Sequence, residues 1–532
     1  MKFLLTALIL FFTYQTVCGE CSGGFIAEPV LKHETENEKR CNYNPLININ
    51  AEDRLAIDYL EARFGVPADS FTILPRGFYD TFYDLKSNYR INPLIHGINQ
   101  KNYWQILSTS GFEYFYANRS GNFIPGSSGR IFDKYSTFIL SQSGNMVLLN
   151  SLALYWELNE INYYDDHAWK SADVEMKRVY AKLKLWKLSV LAGRDTLNLG
   201  PGEYGMILSS NAAPYWMIKI QNEETLRWWG DWNFVFMKGW IKDERDDVSD
   251  PEIMAMRLTY RPQGLFDFFE LGMTRAMMYG GEGRYQYKAV EYPKLIIGSE
   301  DNIPRGKYDA DSYGGVDFTF HIPMYKLVPQ IKVFKFYFEE SGTDIRAIWQ
   351  VEDWGDFTLP YIFFNFFERA YVTGIFMAMD NDIFRLEYTK TAFSFYRHHN
   401  YPVEGYTENG LSLGHPLGTN HEALRFNHRH WFNNSFSFKW EIGYYQLQGE
   451  KTKDHDKKFT ALFPMFSLTD GLVRRGYFSL WTDWIVYGHI LRGYFSVDAG
   501  PKSDSDPSPT VTKPVDKATA DITLGFSAII KF

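Results

Sequence analysis

From about residue 104 onward, apolar and polar residues alternate in short runs. In the final stretch, Ile522, Leu524, Phe526, Ala528, Ile530 and Phe532 are apolar. Asp521, Thr523, Gly525, Ser527 and Lys531 lie between them, with Ile529 the exception. A period of two is that of a strand with one apolar and one polar face. Leu152, Leu154, Trp156 and Leu158 share a face in the same way, as do Val316, Phe318 and Phe320 against Asp317, Thr319 and His321. Between residues 177 and 195 the phase slips. Val179, Ala181, Leu183 and Leu185 are in register, and then Trp186, Leu188, Val190 and Ala192 take over. A slip at Leu185–Trp186 predicts a very tight turn or a bulge between two strands.

The region before residue 104 has a different period. Asn50 suits an N-cap, Glu52 and Asp53 suit a first turn, and Leu55, Tyr59, Leu60 and Phe64 recur at helical spacing before Gly65 and Pro67. The spacing predicts an amphipathic helix packed on something larger. Polar, turn-rich segments separate the alternating runs around 241–252, 297–312, 446–458 and 499–518. No internal repeat and no domain-length linker interrupts the series.

Alternating strands suit a soluble sandwich or propeller, or a transmembrane barrel. The barrel accounts for more. Strands that span a bilayer must close on themselves so that no backbone group is left unpaired in lipid, and aromatic girdles mark both interfaces. Aromatic residues are 18% of this chain, yet its mean hydropathy is −0.31, which is too polar for a bundle of spanning helices. The expected fold class is mostly β: a large closed antiparallel transmembrane β-barrel of about 16 to 20 strands, eighteen favoured, with a short N-terminal helical plug. The expected boundaries are 1–19, a secretory signal; 20–103, an N-terminal periplasmic segment with the helical plug; and 104–532, the barrel. A strand ending on a terminal Phe resembles the insertion signal of bacterial outer-membrane barrels. That places Phe532 at the periplasmic rim and 499–517 outside, and it makes membrane lipid, lipopolysaccharide and the barrel-insertion machinery expected partners.

Lys2, the apolar core Phe3–Phe12 and small residues through Gly19 form the signal pattern. Of the three cysteines, Cys21 and Cys41 remain after cleavage at Gly19, an even pair suited to one disulfide in an oxidising compartment. Lipidation through a leader cysteine is the competing reading. Their spacing fits no zinc pattern. A net charge of −9 is mild for this length and argues against a nucleic-acid partner.

The chain shows no nucleophile elbow and no H-E-x-x-H; neither a catalytic set, a metal centre nor a cofactor is expected. His428 and His430, two apart, would share a strand face, which leaves a metal pair conceivable. Asp246 and Asp247 read as solvated loop acids. Trp228, Trp229 and Trp232 beside Arg227 and Asp231 suit two roles: flat faces and polar groups for a sugar, or a girdle at the membrane interface.

One block is not generic. Gly193, Arg194 and Asp195 precede Gly200, Pro201 and Gly202, then Asn211 and Pro214. Gly280 to Arg284 read GGEGR, with Glu282, Gly283 and Arg284, and Leu413 to Asn420 read LGHPLGTN, with Gly414, His415 and Pro416. The GPG run forces an irregular turn. Arg194 and Asp195 at a strand end are expected to face inward as an ion pair. These blocks, in this order, resemble the bacterial capsule-assembly Wzi family, and the resemblance spans most of the mature chain. Asn198 and Leu199 stand where aromatics are expected, and the region of Cys21 and Cys41 has no counterpart. The resemblance implies a monomeric outer-membrane lectin, non-catalytic, that holds capsular or exopolysaccharide at the cell surface, with the helical segment closing the periplasmic end. The competing class is a porin or substrate channel.

Overall fold

The structure is a computed structural model that describes residues 48–49, 73–74, 76–77, 103–118, 135–149, 151–165, 168–169, 173–210, 212–243, 245–297, 310–343, 368–433, 436–447, 473–486, 489–501 and 518–531. Eighteen long antiparallel strands form one closed barrel. In chain order they are β1 (Tyr103–Ala117), β2 (Tyr135–Leu148), β3 (Leu152–Asp165), β4 (Asp173–Leu185), β5 (Leu188–Asp195) and β6 (Tyr215–Asn222). There follow β7 (Gly230–Trp240), β8 (Glu252–Pro262), β9 (Phe269–Tyr279), β10 (Asp311–His321), β11 (Val333–Thr343) and β12 (Glu368–Ala378). The last six are β13 (Asp382–Thr391), β14 (His421–Asn433), β15 (Phe436–Leu447), β16 (Val473–Val486), β17 (His489–Pro501) and β18 (Ala518–Lys531). Each strand pairs with its neighbours in sequence, and β18 closes the cylinder on β1 from Thr523 opposite Ala117 to Lys531 opposite Thr109.

Alternation decides which side chains meet lipid. On β18, Ile522, Leu524 and Phe526 are exposed on the outer wall, while Asp521, Thr523 and Ser527 are buried inside. Leu158, Leu183, Ile218, Leu258, Met273, Ile375, Leu386 and Phe478 extend the outer apolar band. The phase slip at Leu185–Trp186 is a turn over 186–187, with Trp186 in the left-handed region at φ 57°. The inner wall is charged, and its charges are paired. Lys182 meets Glu223 at 2.7 Å, Arg257 meets Asp317 at 2.6 Å, and Arg475 meets Asp498 and Asp521 at 2.8 Å each. A lone buried ion is expensive, so the pairing is what lets a polar lumen stay packed.

The two ends differ. At one end β4 and β5, β14 and β15, and β16 and β17 are each only two residues apart in the chain; at the other the connections are long, among them 196–214, 241–251, 280–310 and 392–420. With an even number of strands, the start of β1 and the finish of β18 lie at the short-turn end. The predicted helix at Asn50–Gly65, the predicted leader to Gly19, Cys21, Cys41 and Phe532 lie outside the described residues. Two N-terminal pairings are described. Asn48–Ile49 pairs with Arg76–Gly77, and Ile73–Leu74 pairs with Asn198–Leu199 of the first long connection.

Candidate functional site

The GPG and LGHPLGTN blocks meet inside the barrel under the long-loop end, and the GGEGR block lies over them at that end. The 196–214 segment leaves β5 and turns into the lumen. Gly200 has φ +123°, where an L side chain is strained, and an added Cβ would collide with the Glu339 carboxylate of the wall. A glycine is therefore required at this turn. Leu199 N–H donates to Leu208 O at 2.9 Å and Gly205 N–H to Asn198 Oδ1 at 2.9 Å, so the segment closes on itself. Leu197, Leu199, Met206, Ile207 and Leu208 are all buried. Asn211 lies outside the described residues.

Glu203, next to the GPG turn, anchors this segment to the wall. Its Oε2 lies 3.2 Å from Arg385, 3.2 Å from Arg425 and 3.0 Å from Asn427 Nδ2, and its Oε1 lies 3.5 Å from Lys439. Its backbone N–H donates to Glu387 Oε1 at 2.8 Å. Arg425 also pairs with Glu387 and packs on the Tyr204 ring, whose centroid is 4.7 Å away. Three cations thus face Glu203, Glu387 and Glu441, and Tyr337 and Tyr477 donate to the latter two at 2.6 Å.

The 392–420 connection packs on the same segment from above. Ser209 N–H donates to Leu413 O at 2.7 Å, Tyr396 OH donates to Met206 O, and His415 N–H donates to Tyr396 OH at 2.9 Å. An added Cβ at Gly414 would collide with Tyr396 OH. The His415 ring meets Tyr204 edge-on at 5.8 Å and stacks on His421 at 4.5 Å. Burial above all, then His421 and Arg425, holds His415 well below the usual imidazole range, so it is neutral here. Tyr313 of β10 packs with Phe395, Tyr396 and Tyr406 to form the apolar centre of the plug.

Two further connections lock to it. Arg284 donates both to Asn400 Oδ1 at 3.0 Å and to Asn400 O at 2.9 Å, and Tyr401 OH donates to Gly280 O at 3.0 Å. Arg245 donates to Thr407 O at 3.0 Å, Gly405 O at 2.8 Å and Asp247 Oδ1 at 3.1 Å. Asp247 Oδ2 accepts from the backbone of Val403 and Glu404. Although burial opposes it, the Val248 and Glu404 amides and then Arg245 hold the Asp247 carboxyl below the usual range. Glu282, Gly283, Arg284 and Tyr285 are exposed at this face, as is His399.

Four expectations are corrected or relocated. Arg194 and Asp195 do not form an inward pair, because adjacent strand residues point to opposite faces. Arg194 lies on the outer face and donates to Pro214 O and Met176 O at 2.8 Å each, while Asp195 is buried inside. Asp247 is not a solvated acid but a clamp residue, unlike the exposed Asp246. Arg227, Trp228, Trp229, Asp231 and Trp232 lie at the short-turn end, away from the plug. There Trp228 and Trp229 stack at 4.7 Å and are 67% and 80% exposed. His428 and His430 do share a face, but it is the outer one, and Asp382 joins them. The chain text carried no signal for Asp382, Arg245, Glu203 or Tyr396, whose partners are distant in sequence.

Comparison with known proteins agrees with the architecture. The family described as capsule assembly protein Wzi matches residues 116–499. An uncharacterised 55.8 kDa protein of the cps region of Klebsiella pneumoniae is 26% identical over 151 residues, a match to 27% of this chain and 29% of that relative's length. Among solved structures, Wzi of Escherichia coli superposes with TM-score 0.61 at 17% identity, over 92% of this chain and 99% of that one. It is an outer-membrane protein involved in group 1 capsule assembly and a carbohydrate-binding β-barrel. OccD3 of Pseudomonas aeruginosa aligns over 80% of this chain and 91% of its own with TM-score 0.45 at 8% identity.

Proposed function

The chain belongs to the family of the capsule assembly protein Wzi, and from that premise we propose that it is a non-catalytic outer-membrane lectin that holds capsular or related surface polysaccharide. The long-loop end faces outward and both termini face the periplasm. The observation that carries this reading is the plug. Segments 196–214, 241–251, 280–284 and 392–420 are bonded to one another and to the inner wall, so the described part of the long-loop end forms a fixed surface.

That surface suits sugars. Tyr285 offers a ring face and its hydroxyl is held by Glu291 at 3.1 Å, Arg284 is fixed by Asn400, Gln286 is exposed next to Tyr285 in the chain, and His399 is exposed next to Asn400. Aromatic faces take sugar C–H groups, and fixed donors and acceptors take hydroxyls. Rigid groups lose little entropy on binding. The exposed tryptophans of the short-turn end act as an interface girdle in this reading.

The test is direct binding of purified protein to its host's own surface polysaccharide, with Arg284→Ala/Tyr285→Ala as the comparison. Binding that falls about tenfold or more in the double variant supports the reading. Absence of binding by the parent chain, together with steady ion conductance in a planar bilayer, would establish a substrate channel instead.

A further inference from the structure

The outer wall carries a polar cluster inside its aromatic belt, near the short-turn end. Asp382 opens β13, and its partner across the strand pair is His430 of β14. His428 lies two residues before His430 and shares its face. One oxygen, Asp382 Oδ1, accepts from His428 Nε2 at 2.7 Å and from His430 Nδ1 at 2.8 Å. A third contact fixes the proton of His428. Trp440 Nε1 can only donate, and it lies 3.0 Å from His428 Nδ1. Nδ1 is therefore the acceptor, and the proton of the neutral ring sits on Nε2, toward Asp382. In neutral His430 the same bond puts the proton on Nδ1 and leaves the lone pair on Nε2.

Two acceptors remain open at the surface: Asp382 Oδ2 and His430 Nε2. Aromatic rings surround them. Phe384 lies flat on His428 at 4.3 Å and 3°, Phe432 meets His430 edge-on at 4.7 Å, and Phe436 stacks on Phe432 at 5.2 Å. Phe432 is itself exposed on the outer wall. A carboxylate on the lipid face is costly at the bilayer midplane and nearly free at the interface. Its place at the start of β13 sets it at headgroup depth, and its charge calls for a cation there.

The hydrogen bonds choose the kind of cation. A metal ion would need the lone pair of His428 Nε2, which moves that proton to Nδ1 and against the Trp440 N–H. Metal-bound histidines instead donate from their second nitrogen. A primary ammonium needs only acceptors and is favoured by aromatic faces. We propose that Asp382, His430 and the Phe432 face bind the primary ammonium of an aminophospholipid headgroup in the leaflet at the short-turn end. This depends on the barrel lying in a bilayer, and not on what the long loops hold.

The test uses the full chain in detergent and native mass spectrometry. Phosphatidylethanolamine, its N-trimethylated counterpart phosphatidylcholine, and phosphatidylglycerol are offered in equal amounts. Retention of phosphatidylethanolamine about fivefold over both others is expected, falling to parity in Asp382→Asn. Equal retention of the three lipids by the parent chain overturns the proposal, and so does a preference that survives in Asp382→Asn. Stoichiometric zinc binding lost in Asp382→Asn, with no lipid preference, makes the cluster a metal site and also overturns it. Should Asp382→Asn fail to fold, judged by heat-modifiable gel migration, the comparison of the ethanolamine and choline lipids on the parent chain decides alone.

Discussion

Replacing Glu203 by Ala should release the plug while leaving the wall intact. The Glu203 carboxylate faces Arg385, Arg425 and Lys439 within 3.5 Å and accepts from Asn427 at 3.0 Å. Breaking a buried pair by removing one partner costs about 3–5 kcal/mol. Two features lower that figure here. The Glu203 side chain is 18% exposed, and Glu387 and Glu441 still neutralise Arg425 and Lys439 after its loss. A loss of about 2–3 kcal/mol remains, which raises the fraction of time that 196–214 leaves the lumen by roughly 30- to 150-fold. The strand ladder makes no use of Glu203, so heat-modifiable gel migration should match the parent protein. Planar-bilayer recordings should show conductance bursts in Glu203→Ala that are rare in the parent. Glu203→Gln, which still accepts from Asn427, should lie between them. If Glu203→Ala is as silent as the parent and its 196–214 amides exchange no faster, the anchoring role is wrong.

Arg245→Ala removes three donors to 405–407 and Asp247, and hydrogen exchange at 403–409 should quicken at least tenfold while the strand amides are unchanged. Burial first, then Asp243, pushes the Glu408 carboxyl up to about 8 from an ordinary 4.5. The folded loop keeps this proton where the unfolded chain has lost it, so its stability falls as pH rises from 4.5 to 8 and levels off above. Protection of 405–412, corrected for intrinsic rates, should be greater at pH 6 than at pH 8, and Glu408→Gln should flatten that dependence. Trp228→Ala/Trp229→Ala should leave polysaccharide binding at the parental level, measured as for Arg284, because both rings lie at the other end of the barrel.

The strands were legible because a bilayer outside and a polar lumen inside write a strict period of two. Ile522, Leu524 and Phe526 show it, and the slip at Leu185–Trp186 marked a turn for the same reason. Glycine at 200 was legible too, since few other reasons put GPG between strands. What the blocks do together was not. Arg284 meets Asn400 and Met206 meets Tyr396 only once the barrel has brought distant connections over one opening. The Arg194–Asp195 expectation failed on a rule the chain itself carried, since neighbours on a strand cannot share a face. The tryptophans at 228 and 229 left two roles open because an aromatic with a polar tip reads alike at a sugar site and at a membrane edge. Asp382 was invisible beside His428 and His430, because cross-strand register is a property of the fold.

The pairing of Ile73–Leu74 with Asn198–Leu199 constrains the order of assembly. Residues made before the first strand end up bonded to a turn inside a cylinder whose seam joins β18 to β1. That seam brings together residues more than four hundred positions apart, which makes its closure late and slow. Threading an N-terminal segment into a sealed and already filled tube would require the filling to come out again. Docking the segment against 198–199 while the wall is still an open sheet avoids that. The first part of the chain to be made would then wait on the last strand to be locked in place.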